Sequence, residues 1–124
     1  QHTMTCISEF SQEAAYVALD CINEIEQMRK SYELRRNFLI EKLQQIPGIE
    51  CQIPEGAFYA WCRIEKDNFS SLELSEFLLE QAKVVTVPGI AYGLGTEKCV
   101  RMSFATAMEE LETATEGIKK AMIK

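Results

Sequence analysis

Apolar residues recur at spacings of three and four over the first 46 residues, as they do on one face of an amphipathic helix. Ser8 or Ser11 can cap the start of this helix, and the first strong helix breakers are Pro47 and Gly48. The pattern therefore predicts one long helix over residues 1–46, of a length that suits a connector between two domains. The apolar positions are Ala14, Ala18, Cys21, Ile22, Ile25, Met28, Tyr32, Leu39, Leu43 and Ile46.

The body of the domain, residues 47–124, begins where the pattern changes its period. Alternating or β-branched and aromatic runs predict four strands, and two further periodic segments predict helices. The resulting order of helix, two strands, helix, two strands and helix favours an α+β fold. Its sheet is small and mostly antiparallel, with three to four strands and helices packed on it. The strands are predicted at 49–53, 57–64, 84–87 and 99–105, the helices at 70–81 and 109–123, and a glycine-rich loop at 89–96.

Composition narrows the possible classes of function. The 124 residues fit one compact domain, and 19 acidic against 13 basic residues give a net charge of -6, which counts against nucleic-acid binding. No apolar run has the length of a membrane span, and no secretory signal is recognisable. The five cysteines contain no C-x-x-C pair, so reduced and mostly buried thiols in a cytoplasmic protein are expected, without a metal site.

A search for self-contained catalysis finds no complete active site. His2 is the only histidine, so nucleophile systems that depend on histidine are nearly excluded. The glycines of the 89–96 loop lack the Gly-Lys-Ser/Thr ending of a phosphate-binding loop. Most of the carboxylates lie on the predicted solvent-exposed faces of helices, so they do not indicate a catalytic site. No catalytic residue is therefore expected in this chain.

Arg101 is the polar residue that stands out. Along its predicted strand it shares one face with Ser103 and Ala105, opposite the apolar Val100 and Met102. A guanidinium is costly to bury without a partner, so it must emerge at an edge, meet an acid or await an anionic ligand. The strand pattern alone leaves both a structural salt bridge and ligand binding open.

Three short blocks, in a fixed order, resemble a known family. They are residues 54–59 (PEGAFY), 87–93 (VPGIAYG) and 100–105 (VRMSFA), and they follow a Gln-x-Ala-Ala-x-x-Ala-Leu stretch at 12–19. Together they resemble the C-terminal small domain of class I/II (fold type I) pyridoxal-phosphate-dependent aminotransferases. The resemblance covers essentially the whole chain.

The resemblance implies specific roles for residues in this chain. Arg101 would bind the α-carboxylate of the substrate, Ser103 would support it, and Tyr59 would form a pocket wall. Phe58 and Tyr92, like Tyr59, would be core or pocket-wall residues, with the core favoured for all three. Gly56 and Gly89 would permit backbone turns, and the segment at His2 and Thr3 would approach the cofactor phosphate region of a neighbouring subunit.

The resemblance also implies what this chain lacks. The family's Schiff-base lysine lies in a Ser-x-x-Lys stretch upstream of Gln1, and neither Lys98 nor Lys119 has that context. The full-length protein is expected to be a cytoplasmic homodimer that moves an amino group between an L-amino acid and a 2-oxo acid with pyridoxal 5'-phosphate. The isolated chain, without the large domain, is expected to be inactive and free of cofactor.

Two alternatives remain at this stage. The chain could be a non-catalytic α+β interaction or regulatory domain that uses its long helix as a docking surface. It could also be the small domain of a fold-type-I C–S lyase or synthase. The sequence immediately before Gln1 would separate the first alternative from an enzyme, because only the enzyme requires the lysine motif.

Overall fold

A computed structural model describes residues 6–123 of the chain. It contains two compact units, of which the first ends at Ser31 and the second begins at Tyr32. Within residues 6–123, no helix combines the length and the apolar character of a membrane span. The helices are α1 (Glu9–Ala18), α2 (Ile22–Gln44), α3 (Ser71–Phe77) and α4 (Met108–Ile123), and the strands are β1 (Ile49–Cys51), β2 (Tyr59–Ile64), β3 (Val87–Pro88) and β4 (Cys99–Ser103).

The prediction of one continuous helix over residues 1–46 is wrong, because a turn at residues 19–21 divides it into α1 and the longer α2. Ser8 caps α1 as predicted, because its Oγ accepts a hydrogen bond of 3.4 Å from the N–H of Ser11. At the other end, the N–H groups of Leu19 and Asp20 bind carbonyls three residues earlier, at 3.3 and 3.1 Å, so the helix tightens and stops. The turn contains neither glycine nor proline, and the low helix propensity of Asp20 is a weaker signal.

The second unit contains a four-stranded antiparallel sheet in the order β1-β2-β4-β3, which confirms the predicted α+β fold. Only one face of this sheet is buried, since the core combines that face with apolar residues of the helices. The sheet contributes Ile49, Cys51, Ala60, Cys62, Ile64, Val100 and Met102. The helices and the π-helical residues after α3 contribute Leu39, Ile40, Leu43, Leu74, Leu78, Leu111 and Ile118. The opposite side of the sheet is called the open face below.

Strand β4 shows the alternation that its sequence predicts. Val100 and Met102 are buried on the core side, and Phe104, just beyond the strand, is buried with them. Arg101 is half-buried and Ser103 is exposed, both on the open face. The strand therefore holds the guanidinium opposite a close-packed core, which limits its backbone movement.

Strand β3 is shorter and later than predicted. The β-branched run at 84–87 predicts a strand, but the ladder contains only the last residue of that run and the following proline. Lys83 has a φ of 60° and ends the π-helical turn that extends α3. The N–H of Val84 then binds the carbonyl of Leu78 at 3.2 Å. The start of the run therefore closes a helix end instead of pairing with β4.

The N-terminus of α3 is held by a reciprocal pair of hydrogen bonds between Ser70 and Glu73. The Ser70 N–H donates to the Glu73 carboxylate at 2.8 Å, and Ser70 Oγ accepts from the Glu73 N–H at 3.4 Å. The backbone hydrogen bond from Ser70, followed by the one from its hydroxyl, holds the pKa of Glu73 below its usual value. Because the carboxyl pKa of Glu73 is lower in the folded than in the unfolded protein, this interaction stabilises the fold at pH values above the unfolded pKa. The stabilisation is lost as the pH falls through the folded pKa.

We expect Ser70→Ala to lower the free energy of unfolding by about 1 kcal/mol, because an orphan N–H of the helix loses its cap. Urea denaturation at neutral pH measures this change. The difference between wild type and variant should shrink in acid, because protonation of Glu73 weakens the hydrogen bond of 2.7 Å that the Ser70 hydroxyl donates to its carboxylate, and only the wild type makes this bond. An unchanged unfolding midpoint at neutral pH would contradict the role of the cap.

Candidate functional site

The open face of the sheet brings Arg101 together with aromatic side chains. In the antiparallel register, Arg101 pairs with Trp61 of β2 on one side and with Val87 of β3 on the other, and Tyr59 pairs with Ser103. Because side chains alternate along a strand, these residues project on the same side of the sheet. Arg101 therefore lies at the centre of the face and not at its edge.

The guanidinium of Arg101 lies between two tyrosine rings. Its central carbon is 4.0 Å from the ring centroid of Tyr59 and 5.2 Å from that of Tyr92. Trp61 meets Tyr92 edge-on at 5.4 Å between centroids. These distances are in the range of cation–π contact, where the ring faces attract the cation. Tyr59, Trp61 and Tyr92 are called the aromatic cradle below.

Arg101 has no acidic partner among residues 6–123: its guanidinium forms neither an ion pair nor a hydrogen bond there. The strand pattern leaves a structural salt bridge of Arg101 open, and none of the salt bridges among residues 6–123 involves Arg101. Ring faces engage the plane of the guanidinium, whereas its five N–H donors point outward within that plane. The donors of Arg101 are thus available for an anion.

A second arginine on the same face shows the contrast. Arg63 donates to the carboxylate of Glu65, with Nη2 at 2.6 Å and Nε at 2.9 Å from Oε1. This hydrogen bond, together with the charge of Glu65, raises the pKa of Arg63. Arg63 also lies opposite Glu50 in the register. Its charge is therefore compensated within the sheet, while that of Arg101 is not.

Tyr92 is positioned by a 3₁₀ turn over Gly89–Tyr92. The start of this turn packs closely on the backbone of residues 96–99. The N–H of Ile90 donates to Ser71 Oγ at 3.2 Å, which ties the turn to α3. A Cβ placed on Gly89 would meet the carbonyl oxygens of Thr96 and Cys99, the latter at 2.7 Å. Gly89 is thus required for close approach of backbones, and not for the turn conformation that the sequence suggested.

A concavity of about 700 Å³ lies on β1 and β2 beside the aromatic cradle. Tyr59, Trp61 and Arg63 form part of its wall, together with Cys99 and the residues that follow β1. Its size falls within the range of about 300–1,000 Å³ found for small-molecule sites. The open face thus offers both a cation and space beside it.

The sequence-predicted site residues are only partly brought together. Tyr59 lies under the guanidinium, whereas Ser103 Oγ accepts a hydrogen bond of 3.2 Å from the Ala105 N–H and makes none to Arg101 within the described residues. The core assignment of Phe58 and Tyr92 is wrong, because their exposed fractions are 42% and 49%.

Gly56 is also used differently from the prediction, and Trp61 was overlooked. The positive φ of the turn before β2, 59°, belongs to Ala57 and not to Gly56. The period-two spacing Tyr59-x-Trp61-x-Arg63 would have placed Trp61 on the face of Tyr59. His2 and Thr3 lie outside the described residues.

Neither Lys98 nor Lys119 lies on a strand of the open face. Within 6–123 no lysine projects from the strands of the open face: Lys98 Nζ donates to the Asp67 carbonyl at 3.4 Å, and Lys119 lines a separate groove with Phe38. No group of three or more potential metal ligands occurs in the same part of the chain. The geometry of the open face suits an anion held by Arg101.

Comparisons with known proteins agree with the resemblance. The chain matches the family described as aminotransferase class I and II over residues 1–118. It is 41% identical over 124 residues to aromatic-amino-acid aminotransferase 2 of Thermococcus litoralis, covering 98% of this chain and 32% of that protein. An aspartate aminotransferase of Pyrococcus horikoshii is 40% identical over 119 residues, covering 94% of this chain and 30% of that protein.

The fold is similar to that of solved enzymes. The crystal structure of an aspartate aminotransferase from Rhizobium meliloti matches with a TM-score of 0.86 at 33% identity, over 98% of this chain and 32% of the other. The chain therefore spans about a third of the length of the curated relatives that it matches.

Proposed function

The chain belongs to the aminotransferase class I and II family, and on this premise we propose that it supplies the carboxylate-binding arginine of a pyridoxal-phosphate-dependent aminotransferase. The observation that carries this proposal is the state of Arg101, half-buried, stacked on two tyrosines and without an acid among the described residues. The full-length protein moves an amino group between an L-amino acid and a 2-oxo acid.

The physical argument starts from the guanidinium. Its planar edge makes two parallel, charge-assisted hydrogen bonds to a carboxylate, and these fix both the distance and the plane of the ligand. Tyr59 and Tyr92 lie over the guanidinium at 4.0 and 5.2 Å from its central carbon, and apolar ring surface in place of water strengthens the remaining electrostatic contacts. Arg63 is less suited to this role, because Glu65 already occupies its donors.

One arginine can serve both halves of an amino transfer. An amino acid and a 2-oxo acid each carry a carboxylate on the carbon that gains or loses the amino group. Holding that carboxylate orients the reacting carbon in the same way in both directions, which lowers the barrier as well as adding binding energy. The lysine and the cofactor, pyridoxal 5'-phosphate, are assigned to the rest of the full-length protein.

We further propose that the full-length protein is a cytoplasmic homodimer. Family membership and the free thiols of all five cysteines support this assignment. Helix α1 contains no buried residue, and Phe10, Tyr16 and Val17 are exposed. The missing large domain is the partner assigned to this apolar surface.

The proposed reaction is tested with the full-length protein and a panel of L-amino acids, each with a 2-oxo acid acceptor and pyridoxal phosphate. We expect one new amino acid for each donor converted to its oxo acid. The isolated chain 1–124 should give none. Release of ammonia in place of a new amino acid would contradict amino transfer and favour elimination chemistry.

The aromatic cradle yields a separate prediction. Tyr59→Leu removes the ring face under Arg101, so KM for the amino acid should rise about fivefold, which corresponds to about 1 kcal/mol of lost cation–π support. Tyr59→Phe keeps the ring face and is the matched control, with a change expected below twofold. Steady-state kinetics of both variants measures the difference.

Equal losses in the two variants would assign the effect to the hydroxyl and contradict the role of the ring. Ser103→Ala provides a second comparison on the same face. Because Ser103 Oγ bonds the Ala105 N–H, we propose that it supports Arg101 only through the strand backbone. Its removal should therefore change KM less than Tyr59→Leu does.

A further inference from the structure

Two cysteines outside the proposed substrate site face each other across the sheet. Cys51 of β1 and Cys62 of β2 are direct partners in the register, and their Sγ atoms are 3.0 Å apart. Both side chains are buried, with exposed fractions of 7% and 0%. The function proposed above does not use either thiol.

The backbone places this pair in the orientation that a disulfide needs. The Glu65 N–H binds the Gly48 carbonyl at 2.7 Å, which marks Gly48 and Glu65 as a hydrogen-bonded pair one step before the β1–β2 ladder. Pairs along an antiparallel ladder alternate between hydrogen-bonded and non-hydrogen-bonded. Cys51 and Cys62, three steps further along, form a non-hydrogen-bonded pair, in which Cα atoms are about 4.5 Å apart and side chains approach most closely.

We propose that Cys51 and Cys62 are an oxidation site, at which hydrogen peroxide converts the two thiols into a cross-strand disulfide. The Cα separation of a non-hydrogen-bonded pair falls within the range of about 4.4–6.8 Å that disulfides span. The backbone therefore needs little movement to close the bond. Only the two sulfur atoms have to approach each other, and they are already in contact at 3.0 Å.

The chemistry balances with the peroxide as oxidant. The sulfur of Cys51 attacks one peroxide oxygen, the O–O bond breaks, and the leaving hydroxide takes the proton of the Cys51 thiol to form water. The sulfur of Cys62 then attacks the sulfur of the resulting sulfenic acid, the S–S bond forms as the S–O bond breaks, and the hydroxyl leaves as a second water with the proton of Cys62. Two thiols are oxidised and one peroxide is reduced to two waters.

The local electrostatics assign different roles to the two sulfurs. The hydrogen bond from the Cys62 thiol lowers the pKa of Cys51, against the opposing effect of burial. The same hydrogen bond, burial and the neighbouring cysteines raise the pKa of Cys62. The Cys51 sulfur also lies 3.4 Å from the Trp61 carbonyl oxygen, which accepts from it in the thiol form. Cys51 is also the more exposed of the two residues, at 7% against 0%, so it is the nucleophile and Cys62 the resolving thiol.

An oxidant reaches this pair from the edge of the sheet. β1 is an outer strand in the order β1-β2-β4-β3, and Cys51 is its last residue. Cys51 also contributes to the wall of the 700 Å³ concavity. The segment between the two cysteines carries Tyr59, so a disulfide ties together both ends of the segment that supports Arg101.

The test is a peptide map of the whole protein that carries this chain, oxidised with hydrogen peroxide in its native state. The remaining thiols are then alkylated in denaturant before digestion with trypsin. Cleavage after Lys42 and Arg63 releases Cys51 and Cys62 together in peptide 43–63, whereas Cys99 leaves in peptide 99–101. We expect most of peptide 43–63 to lack both alkyl groups and to be lighter by two hydrogen atoms, while peptide 99–101 remains alkylated.

The proposal would be overturned if peptide 43–63 remained doubly alkylated, if it gained oxygen on one cysteine, or if it appeared cross-linked to another peptide. Oxidation of the unfolded protein in denaturant is the control. If the Cys51–Cys62 disulfide formed there with the same preference over other cysteines, its formation would depend on the short sequence separation and not on the fold. Cys99→Ser should leave the disulfide unchanged and Cys62→Ser should abolish it. The wild-type map decides the question even if Cys62→Ser does not fold.

Discussion

Arg101→Ala is expected to lower kcat/KM of the full-length protein by about 2–5 kcal/mol, roughly thirtyfold to several thousandfold. The loss has two sources. The substrate carboxylate loses two charge-assisted hydrogen bonds, and the reacting carbon loses its fixed orientation. Arg101→Lys should cost nearly as much, because an ammonium cannot reproduce the planar, bidentate contact. Steady-state kinetics with a saturating 2-oxo acid measures both variants.

The matched control for this prediction is Arg63→Ala. It removes a cation from the same face, but one whose donors are already held by Glu65. If any positive charge on the open face promoted activity, Arg63→Ala and Arg101→Ala would lower kcat/KM by similar factors. We expect Arg63→Ala to change kcat/KM by less than threefold. Unchanged kinetics in Arg101→Ala would contradict the role of Arg101 in binding the substrate carboxylate.

Gly89→Ala is expected to lower the free energy of unfolding by about 1–3 kcal/mol or more, because the added Cβ overlaps atoms that cannot move away easily. It would meet the backbone carbonyls of Thr96 and Cys99, and the Cβ of Thr96 at 3.0 Å. Relief requires the loop to shift, and the loop carries Tyr92. The variant should therefore also raise KM for the amino acid. Denaturant unfolding and kinetics measure the two effects separately.

Gly56→Ala is the matched control, since an added Cβ there would meet nothing within 4 Å and the residue does not have a positive φ. We expect its stability to equal or slightly exceed that of the wild type, because alanine restricts the unfolded chain. Similar losses at Gly56 and Gly89 would indicate that the close packing around Gly89 is not the cause.

The sequence predicts the order of elements and the faces of β4, because both follow from periodicity alone. Val100 and Met102 are buried and Arg101 is on the open face, as the alternation requires. The break near Asp20 was not predicted, since a turn made by weak helix formers has no distinct signature. The late start of β3 was missed because Lys83 adopts a left-handed conformation without being glycine or asparagine.

The aromatic cradle and the cysteine pair depend on strand register, which composition does not specify. The turn before β2 fixes that register, and its positive φ at Ala57 is not suggested by the residue type. The register in turn pairs Trp61 with Arg101 and Cys51 with Cys62. The period of each strand identified the residues that share a face, but only the three-dimensional pairing identified their neighbours.

The carboxylate role of Arg101 is tested most directly by removing the carboxylate from the substrate as well as the arginine from the protein. The measurement is the ratio of kcat/KM for an amino acid donor to that for the corresponding amine without a carboxylate, in wild type and in Arg101→Ala. We predict a large preference for the amino acid in the wild type that falls by at least about tenfold in the variant. The same ratio in both proteins would contradict the proposal that this guanidinium holds the substrate carboxylate.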